Sequence, residues 1–157
     1  MKKLLLFFLL FTLCLIQLHA QILFEENFED GLVPDGWTVQ SAATDGGWLV
    51  GSSASMSSQF FPITSNGSSG IAGTNDDNCN CDKSDEYFIT PALDFSDQTA
   101  VVLSFDAFFT DDTYQGNAED ATIEVSTDGL NWTVLEDLHG HSSWDTHTID
   151  LSEFGGE

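Results

Sequence analysis

Nine residues, Val101 to Phe109, set the terms for this chain. Val101, Leu103, Phe105, Ala107 and Phe109 fall on one side of an extended strand, with Ser104, Asp106 and Phe108 on the other. Other segments carry the same period of two. Ala121, Ile123 and Val125 alternate with Thr122, Glu124 and Ser126; TDGLN then turns the chain, and Trp132 to Leu135 returns as a hairpin partner. Ile22, Phe24, Glu26 and Phe28 read as a first strand, where Glu26 is out of place on a mostly apolar side unless it is paired or ligated. Tyr87 to Thr90, closed by Pro91, reads as another strand, and Trp144 to Leu151 as a last, weaker one. The turns in GLVPDGW and GGWLVG deliver Trp37 and Trp48 to short strands as packing residues. No stretch after the first twenty residues holds a helical period over eleven residues, so the fold class is all-β, a β-sandwich.

Two further segments are harder to place. Gly51 to Gly73 is Ser- and Gly-rich and uncharged around Phe60, Phe61 and Ile63; it holds either a short strand at Phe60–Ile63 or a binding loop. LDFSD at 93–97 and IDLSE at 149–153 echo each other, and each follows a strand. The echo reads as recurring strand-end chemistry.

Residues 1–20 read as a signal peptide: Lys2 and Lys3, an apolar run from Leu4 to Leu18, and the small residue Ala20 before Gln21. The run is shorter than the ~20 residues a membrane span needs, and no second one follows. Residues 21–157 then make a single exported domain. The chain stops just after its last strand, which leads us to expect that a closing strand is missing.

After the leader, 26 acidic residues face one lysine, Lys83, and no arginine. Nucleic-acid binding needs Lys or Arg to replace phosphate counterions, so it is excluded, and phosphate-bearing substrates and anionic membranes are disfavoured for the same reason. So acidic a body calls for counter-cations. Eight Asn, Asp and Glu side chains crowd the twelve positions from Asn75 to Glu86, a donor set suited to calcium. The helix–loop–helix calcium pattern fails there: its glycine position holds Cys81 and its closing glutamate position holds Tyr87. An irregular calcium loop headed by Asn75, Asp76 and Asp77 survives.

Cys79 and Cys81 are disulfide candidates, since export implies an oxidising compartment. Zinc would need two more ligands, and none sits nearby in sequence. His139, His141 and His147 read as surface histidines rather than a zinc site. No nucleophile, base and oxyanion set can be named, so the chain reads as a non-enzyme.

Taken in order, FEENFEDGLVPDGWT, TNDDNCNCDKSDEYFITPALDFS, VVLSFDAFF and IEVSTDGLNWTVL resemble the bacterial cleaved-adhesin or "choice-of-anchor J" domain, a relative of the MAM-type jelly rolls. The resemblance implies a calcium-stabilised β-sandwich of jelly-roll type in secreted or cell-surface proteins. It implies an adhesion or recognition module for extracellular protein or carbohydrate ligands, or alternatively an accessory binding domain of a secreted protease or glycoside hydrolase. Carried onto this chain, it implies Glu29, Asn75 and Asp76 as calcium ligands. The family's closing Trp-x-x-Asp-Asp strand and its C-terminal sorting domain are not in the sequence.

Overall fold

Short extended segments run from Thr38 to Asp150, and they pair two by two. The computed structural model describes residues 20–111, 113, 114 and 116–156; the expected signal peptide, Ala20 excepted, lies outside them. In chain order the elements are β1 (Thr38–Gln40), β2 (Leu49–Gly51), α1 (Ser53–Met56), β3 (Ile71–Gly73), α2 (Asp76–Cys79), β4 (Tyr87–Ile89), β5 (Val102–Thr110), β6 (Thr113–Tyr114), β7 (Asn117–Ala118), β8 (Thr122–Val125), β9 (Thr133–Asp137) and β10 (His141–Asp150). Five antiparallel ribbons result: β1 with β4, β2 with β3, β5 with β10, β6 with β7, and β8 with β9. The class is all-β. Among the described residues no helix is long and apolar enough to cross a membrane.

The first half is nested, since β1 and β4 enclose β2 and β3 in sequence. Its core is a run of rings. Phe24 and Phe28 lie 6.0 and 5.6 Å from Trp37, which lies 4.5 Å from Phe88, and Phe88 stacks on Trp48 at 5.4 Å. Each such pair contributes about 0.5–1.5 kcal/mol beyond the area it buries. Residues 22–28, expected as a strand, enter this cluster without forming one. The Glu26 carboxylate accepts from the backbone N–H groups of Asn27 and Phe28, so those donors are not offered to a ladder. Phe28 then adopts a φ of 58°, which ends the extended run.

The Ser-rich segment holds no strand at Phe60–Ile63 either. It opens with α1, capped by the Ser52 hydroxyl on the Ser55 N–H. Ser57 and Ser58 then take the N–H groups of Ile63, Phe60 and Phe61. With their donors satisfied by hydroxyls, these residues form a local fold that anchors Phe61 on Phe108 of β5.

The second half is built on β5. Its partner β10, expected as the weaker strand, is the longest in the fold and runs from His141 opposite Thr110 to Asp150 opposite Val102. Thr146, Thr148 and Ile149 suit a strand, but the run has little apolar alternation of its own; its partner decides. On one face of this ribbon Phe108 meets Trp144 and Phe61, and on the other Phe105 stacks on His147. The hairpin of β8 and β9 turns at Gly129, φ 69°, where the Asp128 carboxylate accepts from the N–H groups of Leu130 and Asn131.

The two echoed segments do share one chemistry. Asp94 accepts from the Ser96 N–H and Asp150 from the Ser152 N–H, both at 2.9 Å. They also lie together: the Gly156 N–H donates to the Phe95 carbonyl, and the Val101 N–H to the Ser152 hydroxyl.

Candidate functional site

The region to build upward is Thr74 to Ile89, where a one-turn helix leads through two cysteines into β4. The Asn75 side-chain oxygen Oδ1 accepts from the Asp77 N–H and starts α2, while its side-chain Nδ2 donates to the Met56 carbonyl at 2.8 Å. Asn80, at φ 48°, stops the helix and returns its N–H to the Asp76 carbonyl. Cys79 and Cys81 are joined by a disulfide. The sulfurs stand within 4.8 Å of an Asp45 carboxylate oxygen. Bonded to each other, they carry no thiolate and are not metal ligands.

Asp45 belongs to a charged knot. The Lys83 ammonium donates to both Asp45 oxygens, at 2.7 and 2.8 Å, and stands 3.5 Å from Glu86 Oε1. Glu86 also accepts from the hydroxyls of Ser41 and Thr74. The Glu86 side chain is only 3% exposed and that of Lys83 11%, so these two charges are largely withdrawn from water and compensate each other, while Asp45 keeps 22% of its side chain exposed. The Lys83 hydrogen bond, followed by that from the Gly47 N–H, holds the Asp45 carboxyl below its ordinary value. Gly47, at φ 88°, leaves no room for a Cβ against Ser41. The one lysine of residues 20–156 is thus spent inside the fold, and the acidic exterior keeps no ammonium or guanidinium of its own.

At the other end of α2 the electrostatics reverse. Asp76 and Asp77 stand close enough to Glu119, in the link from β7 to β8, to act on it. The Glu119 carboxyl is pushed above its ordinary value by partial desolvation first, then by the charges of Asp76, Asp120 and Asp77. Glu119 and Asp120 of this acidic corner line a hollow of about 620 Å³ together with Asp111, Asp137 and His139. His139 Nδ1 lies 2.9 Å from Asp111 Oδ2 and holds the Asp111 carboxyl low. No three of these acidic side chains bring ligand oxygens within 4.8 Å of one another, so the corner is acidic without being a closed ligand set.

The sequence-derived ligands are therefore distributed. Asp76 and Asp77 share the acidic corner, where Asp77 also accepts from the Ser58 hydroxyl at 3.0 Å. Asn75 caps the helix that carries them. Glu29 is engaged by the hydroxyls of Ser68 and Ser69 and the Ser69 N–H, and its carboxylate, Asp76 and Asp77 are not all within 4.8 Å of one another. Sequence reasoning did not single out Asp45, Glu119 or Asp120. Among 26 acids, spacing alone could not single them out. It also took His147 for a surface residue, whereas His147 stacks on Phe105 and sits 2.6 Å from Glu136 Oε1.

A family model described as the Cleaved Adhesin Domain matches residues 21–137. No curated protein and no solved structure matches the chain.

Proposed function

The chain belongs to the cleaved adhesin family, and from that membership we propose that it is a secreted or surface-exposed recognition module that binds calcium and adheres to extracellular protein or carbohydrate ligands. The family match over residues 21–137 carries the adhesive part of this reading. A binding role agrees with an exterior whose single lysine is withdrawn, which turns away nucleic acids and other polyanions. The calcium part is supported by the corner of Asp76, Asp77, Glu119 and Asp120, whose crowding is expressed in the raised Glu119 carboxyl. No three of the four bring carboxylate oxygens within 4.8 Å of one another, so an ion bound there would have to draw them together. Bound there, calcium would supply the missing positive charge and tie α2 to the link before β8.

Scanning calorimetry of the mature chain with millimolar calcium, then with chelator, tests the metal. Calcium is expected to raise the melting temperature and chelation to reverse the rise, because a ligand that binds only the folded state stabilises it by mass action. An unchanged melting temperature would overturn the calcium reading. Adhesion is tested by retention of the mature chain on surfaces coated with extracellular-matrix protein or mucin; no retention on either would overturn it.

A further inference from the structure

A second hollow, of about 320 Å³, lies on the face of the β5–β10 ribbon that carries Asp106 and Trp144. Its far wall comes from residues 26–28 and from the Ser-rich segment at Asn66 and Ser68. The volume sits at the lower end of the range for small-ligand sites. We propose that this hollow is a binding site for an uncharged sugar residue, with the Trp144 ring as its apolar wall and Glu26, Asn27, Asn66 and Asp106 as its hydroxyl readers. The proposal rests on the adhesive reading above and gives its carbohydrate option an address.

The four polar side chains share one arrangement: each is pinned at one end and presents the other. Glu26 Oε1 accepts from the N–H groups of Asn27 and Phe28, at 2.9 and 2.7 Å, leaving Oε2. Asp106 Oδ1 accepts from the Thr146 hydroxyl at 2.6 Å, leaving Oδ2. Asn27 Oδ1 accepts from the Glu29 N–H and Asn66 Oδ1 from the Ser68 N–H, leaving both amide NH₂ groups. Two carboxylates and two amides therefore line the hollow, each side chain held by a hydrogen bond before any ligand arrives.

Trp144 is fixed in the same way. Its indole N–H donates to the Thr64 carbonyl and its ring rests edge-on against Phe108, at 5.7 Å. A held aromatic wall beside mixed donors and acceptors matches a ring with an apolar C–H face and hydroxyls at its edge. Each hydroxyl donates to a carboxylate and accepts from an amide. An ammonium group would satisfy the carboxylates only and leave both amides unmatched; an anion meets two carboxylates and no cation. Trp144 and Asp106 stand on paired strands, and β10 begins after the stretch matched by the family model.

Ligand-observed NMR with the mature chain and methyl glycosides of neutral hexoses, pentoses and N-acetylhexosamines tests the site. Saturation transfer to at least one of these is expected. Asn66→Ala and Asp106→Asn, both at exposed positions, are each expected to weaken it about tenfold, the scale of one lost hydrogen bond involving a charged or buried partner. Circular dichroism of each variant checks that the fold is kept. Silence from all the glycosides overturns the proposal, as does binding undiminished in both variants. Preferential binding of a lysine methyl ester overturns it in favour of an amine site. Retention on mucin or matrix protein that survives both substitutions would sink this pocket while leaving the adhesive reading standing.

Discussion

The two ends of α2 put the same residue type under opposite conditions. At the Cys79 end, Asp45 and Glu86 share one buried ammonium, and the Asp45 carboxyl is held low. At the Asp76 end, four carboxylates share none, and the Glu119 carboxyl is held high. One end is complete within the chain, while the other, on the reading proposed above, receives a cation from outside. A single helical turn separates a structural use of acid from a receptive one. Composition alone, which counts both as negative charge, hides this difference.

The contrast is broken most forcefully at the compensated end. Lys83→Met leaves the Glu86 carboxylate, 3% exposed, and the partly exposed Asp45 without their cation and should cost about 3 kcal/mol in urea unfolding, the low end for breaking a buried pair. Adding Glu86→Gln and Asp45→Asn should recover part of that loss. If Lys83→Met unfolds like the wild type, the charges are solvated and the comparison fails. The next effect belongs to the receptive end. Calcium at a hundredfold excess over its dissociation constant should stabilise the chain by about 2.7 kcal/mol, and Asp76→Asn with Glu119→Gln should abolish most of it. Calcium stabilisation that persists in that double variant would put the ion elsewhere.

Acid sharpens the same contrast, because the two ends respond with opposite signs. The folded value of Asp45 lies below its ordinary 3.8, so the native state binds fewer protons there; its contribution is full above 3.8 and is lost as pH falls through the lowered value. The folded value of Glu119 lies above 4.5, so this group costs nothing below 4.5, and its cost grows as pH rises through the raised value. Without calcium, stability curves of wild type and Glu119→Gln should therefore coincide below pH 4.5 and separate above it, with the variant the more stable at neutral pH. The smallest effect is the size of that gap, about 0.5 kcal/mol for charges at a wet surface. With calcium its sign should reverse.

Legibility followed sequence distance. β5 and the β8–β9 hairpin could be read directly because their alternation and the TDGLN turn are local, and the all-β class followed from them. The strand expected at 22–28 did not form, because the Glu26 side chain competed with the ladder for its own neighbours' N–H groups. β10 was underrated because its strand character is borrowed from β5. In the candidate site, Asp76 and Asp77 were visible as part of a dense local cluster. Glu119 and Asp120 were not, since they meet that cluster across more than forty residues of chain. Lys83 stood out as the lone cation, yet its partner Asp45 lies 38 positions away and looks like any other acid.

The burial of Lys83 also bears on how such a chain survives outside a cell. Proteases that cut after lysine or arginine find one recognisable bond in residues 20–156, Lys83–Ser84. To be gripped, the lysine must first leave Asp45, which means opening the joint between α2 and β4. Scission there tracks how often that joint opens. For this large class of digestive enzymes the rest of the surface is blank, so cleavage at one bond would serve as a clock for local opening in the first half of the fold.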